Sequence, residues 1–196
     1  LSVGVLSPSA LPSWELLSSE QRDRVADAAE VYVATTAPDE SDWRLLEAEG
    51  TRTAGLDDGV RALALLHRLG RPIPDDTLAA WVPALLFRWA HTHGEETGFY
   101  ALLKRTHRSR PGAVREAIRR LLAVERFDVG PLVRPLGILN DAHLDSLLLG
   151  ALTSGRVHEA YQRTTLEGLL QRSTPGATDY AASQVEAADD PAHAAW

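Results

Sequence analysis

Residues 111–123 read PGAVREAIRRLLA. Val114, Ala117, Ile118, Leu121 and Leu122 fall at i, i+3, i+4, i+7 and i+8, which is one face of a 3.6-residue repeat. Arg115, Glu116, Arg119 and Arg120 take the other faces. Pro111 brings a fixed φ that suits a first helical turn, where its missing N–H leaves nothing unsatisfied. This is the clearest amphipathic stripe in the chain, and the same period recurs on both sides of it. Upstream, Ser18 with Gln21 three residues on has the pattern of a capping box. The helix it opens is read with Val25, Ala28, Ala29, Tyr32 and Val33 on its apolar face, and Pro38, Asp39, Ser41 and Asp42 close it.

A second helix is read from about Asp58 to Leu69, with Leu63 and Leu66 facing inward and Gly70 at the position after the cap, where a left-handed residue is favoured. Asp75, Asp76 and Thr77 are cap-type residues ahead of a segment from Leu78 to Ala90, which Pro83 should kink or restart. Thr97 opens a segment carrying Phe99, Leu102 and Leu103. Pro131, Pro135 and Gly137 should interrupt the helical pattern, which then resumes at Asp141–Leu152, about His158–Gln171 and about Pro175–Ala188; Asp190 and Pro191 read as the start of another helix. No β-branched run alternates with period two between hairpin turns. The expectation is therefore an all-α protein.

Short loops between helices of similar length suit antiparallel neighbours. The helices fall into rough pairs of irregular spacing, closer to degenerate HEAT-like repeats of about 40–47 residues than to a strict 34-residue tetratricopeptide period. A right-handed α-solenoid of antiparallel helix pairs (HEAT/TPR-like) is favoured over a closed bundle. Residues 1–196 are read as one α-helical repeat domain, with an irregular lead-in over 1–13 and a Pro/Gly break over 128–140 between two helical sub-blocks. The chain starts at Leu1 and has no Met, which is read as a fragment of a longer polypeptide.

Composition narrows the function classes. The 196 residues carry 20 Lys+Arg against 27 Asp+Glu, a net charge of −7, with 44% hydrophobic residues; this is the balance of a globular domain with a real core. Without cysteine there is no disulfide scaffold, thiolate zinc site, iron–sulfur cluster or Cys nucleophile. No apolar run approaches the roughly 18 residues of a membrane span, and residues 1–10 lack the layout of a signal peptide. A cytoplasmic protein without membrane contact is expected. The phosphate-binding pattern Gly-x-x-x-x-Gly-Lys-Ser/Thr, the elbow Gly-x-Ser-x-Gly and the dinucleotide fingerprint Gly-x-Gly-x-x-Gly do not occur in the sequence. The chain is therefore expected to be non-enzymatic and to need no cofactor.

Charge is unevenly spread. Residues 1–100 hold 8 basic and 16 acidic side chains, 101–127 hold 8 and 2, and 128–196 hold 4 and 9. The basic block comprises Lys104, Arg105, Arg108, Arg110, Arg115, Arg119, Arg120 and Arg126; Arg115, Arg119 and Arg126 share one face if the helix persists that far. It can face an anionic partner, nucleic acid included, or pair with neighbouring acids such as Glu95, Glu96, Asp141 or Asp145. Trp81 and Trp89, eight apart, share a helical face, as packing anchors or, where exposed, as partner contacts. His91 and His93 are two apart and would point in nearly opposite directions on a helix, so they do not make a metal pair. The acidic doublets Asp57–Asp58, Asp75–Asp76, Glu95–Glu96 and Asp189–Asp190 sit where helices begin, as dipole partners and caps.

One block has a familiar pattern. Trp14, the run Leu17-Ser18-Ser19-Glu20-Gln21-Arg22-Asp23-Arg24-Val25, the run Ala28-Ala29-Glu30-Val31-Tyr32-Val33, Trp43, then Arg61 to Leu66 and Trp81 to Leu86 follow one another. Over roughly 14–125 the chain resembles the helical-repeat (HEAT-like) region that follows the nucleotide-binding domain of bacterial NACHT-type STAND ATPases, several of which act in antiphage defence. The resemblance rests on helix and Trp patterning and carries over no catalytic residue. It implies a sensor or scaffold segment that binds a protein or other macromolecule on a concave helical surface, within a parent protein that can oligomerise. The candidate partner residues are Lys104, Arg105, Arg108, Arg115, Arg119, Arg126, Trp81 and Trp89. The alternatives are a HEAT-like nucleic-acid-binding protein that uses the 104–126 arginines, and a structural spacer.

Overall fold

A computed structural model describes residues 14–38, 54–92, 97–123 and 132–189, and all regular structure among them is helical. The helices are α1 (Ser19–Thr35), α2 (Ala54–Arg68), α3 (Asp75–Thr92), α4 (Thr97–Ser109), α5 (Pro111–Ala123), α6 (Val133–Leu139), α7 (Ala142–Thr153), α8 (Glu159–Gln171) and α9 (Ala177–Asp189). The chain divides into two compact units, Leu1–Leu121 and Leu122–Trp196. The expected helix start at Asp190–Pro191 and the acidic doublet Glu95–Glu96 lie outside the described residues.

In the first unit α1 packs on α2, α2 on α3 and α3 on α4, and α2 also touches α4. The capping box forms as the sequence implies: Ser18 Oγ accepts from the Gln21 amide at 3.2 Å, and the Ser18 amide donates to Gln21 Oε1 at 2.8 Å. The buried stripe of α1 is Ala26, Ala29 and Val33. Val25 and Ala28, expected on that face, are exposed. The reason is that α1 is covered along one side only, so its dry stripe narrows to i, i+3, i+7.

Helix α2 starts at Ala54, earlier than the periodicity suggested, because Leu56 is already buried. Helix α3 starts directly at Asp75, with Pro74 supplying the first carbonyl to the Leu78 amide at 3.0 Å. Asp75 and Asp76 thus occupy the first turn of the helix. Pro83 lies inside α3 and does not restart it; an interior proline costs roughly 3 kcal/mol. Burial of Leu78, Trp81, Val82, Leu85 and Leu86 around it offsets that cost at roughly 1.5–3 kcal/mol per large side chain.

In the second unit α6 packs on α7 and α8, α7 on α8, and α8 on α9. Helix α6 forms where Pro135 and Gly137 were expected to break the pattern. Pro135 falls in the first turn, which tolerates it, and Asn140 in the left-handed region (φ 52°) ends the helix after a single short run. A buried ion pair ties this unit together. Arg172 Nε donates to Asp145 Oδ1 and Oδ2 at 2.9 and 3.0 Å, with the two side chains 19% and 8% exposed. Asp145 comes from α7, and Arg172 caps α8.

One hairpin recurs in both units. After α2, the Gly70 amide bonds to the His67 carbonyl and the Arg71 amide to Leu66; after α7, Gly155 bonds to Leu152 and Arg156 to Ala151. Both are Schellman closures around a glycine at positive φ (67° and 72°). Each glycine is followed by Arg and then by a buried β-branched residue, Ile73 or Val157. Each hairpin then opens a helix on an acid, Asp75 or Glu159.

Candidate interaction surface

The basic block begins on α4, and its arginines are largely engaged with carboxylates. Arg105 Nε and Nη2 lie 3.2 and 2.9 Å from Asp75 Oδ1, and Nη2 also donates to the Ile73 carbonyl at 2.6 Å. Arg110, just past α4, reaches Asp76 Oδ1 at 2.6 Å. Acids at the start of α3 thus meet bases at the end of α4. Each sign sits at the helix end whose dipole it complements.

On α5, Arg119 grips Glu116 through Nε and Nη2 at 2.8 and 2.6 Å, and Arg120 Nε adds a third bond at 3.1 Å. Hydrogen bonds from Arg119 and then Arg120 pull the Glu116 carboxyl from 4.5 down to about 2, and the same bond raises the pKa of Arg119. These pairs are exposed, so they set side-chain geometry more than stability. Arg115 also has an interaction partner. Lys104 and Arg108, one turn apart on α4, form no ion pair among the described residues; Lys104 is half-buried and Arg108 exposed. Arg126 and the side chain of Trp89 lie outside the described residues.

Trp81 turns inward. It is 0% exposed, and its indole Nε1 donates to the Val33 carbonyl at 2.8 Å. That carbonyl belongs to the last turn of α1, which has no intrahelical donor of its own. Trp81 is therefore a packing anchor that caps α1 from α3, and it is not available as an exposed partner contact. Among the described residues no three metal-ligating side chains converge, and no helix is long and apolar enough to cross a membrane.

The first unit carries one feature of a different kind. A cleft of about 320 Å³ opens between the end of α1 and the loop leading to α3. Buried Val33, Leu66 and Ile73 form its floor, and Val31 and Pro72 stand at its rim with Glu30. Val31 is 63% exposed. Along the same helix Asp23, Asp27 and Glu30 form an acidic row that pairs with Arg71. Arg71 Nη2 lies 2.9 Å from Asp23 Oδ1 and 3.4 Å from Asp27 Oδ1. Its Nη1 stands 3.7 Å from Glu30 Oε1, beyond hydrogen-bond reach. That Glu30 oxygen is shielded from solvent and has no hydrogen-bond partner.

Comparison with known proteins gives no match to a family model, to a curated protein or to a solved structure.

The cleft residues were not singled out by sequence patterning. Val31 is not among the apolar-face residues read for α1, and no motif falls on Arg71-Pro72-Ile73-Pro74. The available signal was the run of two prolines flanking a β-branched residue, Pro72-Ile73-Pro74. Two fixed φ angles hold that loop as a wall against α1.

Proposed function

We propose that this chain is a non-catalytic interaction module, a stack of antiparallel helix pairs of the α-solenoid, HEAT-like kind, that binds a protein partner in the cytoplasm. The observation that carries this reading is the sequence-local packing. In each unit the substantial helix–helix contacts run between nearest and next-nearest neighbours along the chain, which is how repeat architectures bury their faces. The recurrence of the Schellman–Arg–β-branched–acid hairpin after α2 and after α7 supports a repeating unit. The pattern over 14–125 favours, within that class, the helical-repeat segment of NACHT-type STAND proteins, some of them antiphage. If that assignment is right, a phosphate-binding loop should be encoded upstream in the same gene.

The engagement of Arg105, Arg110, Arg119 and Arg120 with carboxylates weighs against a dedicated nucleic-acid surface, as does the net charge of −7. The decisive experiment titrates the full chain by calorimetry against purified candidate partners and, separately, against a DNA duplex over a range of salt. The reading requires a saturable protein complex with a Kd in the micromolar range or tighter. Duplex binding that falls steeply with salt, with no protein complex, would replace it with the nucleic-acid reading.

A further inference from the structure

We infer that the cleft between α1 and the 71–74 loop is a docking site for a basic, aliphatic peptide segment of a partner protein. One aliphatic side chain would lie on the Val33–Leu66–Ile73 floor, and a neighbouring Lys or Arg would pair with Glu30. The inference rests on the interaction-module reading and names the chemistry of the partner.

Three observations converge on it. First, the cleft is apolar-floored and already formed, with a volume of about 320 Å³, the lower end of the size of binding pockets. Second, its rim presents Val31 at 63% exposure. A lone exposed aliphatic side chain is ordinary on a protein surface; here it adjoins the apolar floor, so one incoming aliphatic group can cover both. Third, the charge is unbalanced in one direction. Among the described residues the carboxylates of Asp23, Asp27 and Glu30 share the Arg71 guanidinium, three acids to one base. The Glu30 oxygen closest to Arg71 is dry and lacks a donor. The Glu30 side chain as a whole is 38% exposed, so an incoming ammonium or guanidinium can reach the carboxylate from its solvent side and add a charge-assisted hydrogen bond there. The chain as a whole has the matching sign, a net charge of −7, which favours encounter with a cationic segment. An anionic peptide would be repelled by this acidic row, and a wholly apolar one would gain nothing from it.

The test is an amide-resonance NMR titration of the full chain with a blocked 12-residue peptide of alternating Leu and Arg. The same peptide with Glu in place of Arg is the control. The expected result is saturable shifts centred on Val31, Ala34, Ile73 and Thr77 with the Arg peptide and none with the Glu peptide. Glu30→Gln should weaken binding about tenfold, the range of a charge-assisted hydrogen bond, and Val31→Ser should weaken it several-fold. Both positions lie at the rim, so the spectrum of each variant reports directly that the fold is kept. The inference is overturned if the Arg peptide shifts residues elsewhere, if Glu30→Gln binds equally well, if the Glu peptide binds as tightly, or if no shift develops. It is also overturned if the same amides move when protein concentration alone is raised, because the occupant is then a second copy. A silent cleft leaves the interaction-module reading to the calorimetric titration with purified partners, so the two fail separately.

Discussion

Replacing Gly59 with alanine should destabilise this protein, although the same change in most helix interiors stabilises it. Alanine exceeds glycine in helix propensity by about 1 kcal/mol. At position 59, however, a Cβ would fall 1.8 Å from Cη2, 2.1 Å from Cζ3 and 2.7 Å from Cζ2 of Trp81. The ring cannot simply retreat, because it is wholly buried and its Nε1 is held by the Val33 carbonyl at 2.8 Å. Overpacking of this kind costs roughly 1–3 kcal/mol, and an approach this close belongs at the upper end. After subtraction of the propensity gain, a net loss of about 2 kcal/mol is expected, or a fall in Tm of about 4–8 °C. The critical measurement is the double-mutant cycle with Trp81→Phe, read by thermal and urea unfolding. Phenylalanine lacks the outer ring atoms that the new methyl would strike. In that background Gly59→Ala should be close to neutral or mildly stabilising, giving a coupling of about 2–3 kcal/mol. If Gly59→Ala raises the Tm of the parent protein, or costs the same in the Trp81→Phe background, the close approach of α2 to the Trp81 ring is not what the glycine serves.

The remaining expectations concern other elements. Asp145→Asn should cost about 3–5 kcal/mol by leaving the buried Arg172 charge unpaired; the paired change Asp145→Leu with Arg172→Met should recover much of that in chemical denaturation. The Glu116 carboxyl, drawn from 4.5 to about 2 by Arg119 and then Arg120, should stay ionised in a carbon-detected NMR titration until pH nears 2. Since its folded pKa is depressed, its favourable interaction is in place above the unfolded value near 4.5 and is lost as pH falls through about 2; Arg119→Ala should bring its titration back toward the ordinary range. Ser173 follows α8 at φ 54° with the Schellman bonds that glycine makes at 70 and 155. Ser173→Gly should therefore raise stability by about 1 kcal/mol in a thermal melt, whereas Gly155→Ser should lower it.

Much of the helical content was readable in the chain. The stripe of α5, the Ser18–Gln21 box and the glycine stops depend on residues a few positions apart, and local patterns encode them directly. What the sequence hid depends on partners far along the chain. Val25 and Ala28 fit the helical period as well as Ala26 does, and only the one-sided cover of α1 decides among them. Pro83 is a helix breaker by any local rule, yet the buried side chains flanking it outweigh that preference. Pro135 and Gly137 looked like a break because a seven-residue helix closed by an asparagine carries too little periodicity to show. The arginine block was conspicuous as composition, but its pairing with Asp75 and Asp76 arises from the antiparallel approach of α3 and α4. Trp81 was legible as an anchor by its type; its hydrogen bond to the end of α1 joins residues 48 positions apart.

That hydrogen bond makes α1 a fastened strap. The helix keeps most of its residues in water. It is held by the indole, by the Tyr32 hydroxyl donating to the Gly55 carbonyl at 3.1 Å, and by the Arg71 clasp. Peeling α1 away would expose its own Ala26, Ala29 and Val33 together with the Trp81 ring and the face of α2 that they cover, a sub-global opening distinct from complete unfolding. It would also dismantle the cleft, since one wall and part of the floor belong to α1. Any occupant of the cleft must therefore slow hydrogen exchange along the whole helix, including turns it never touches.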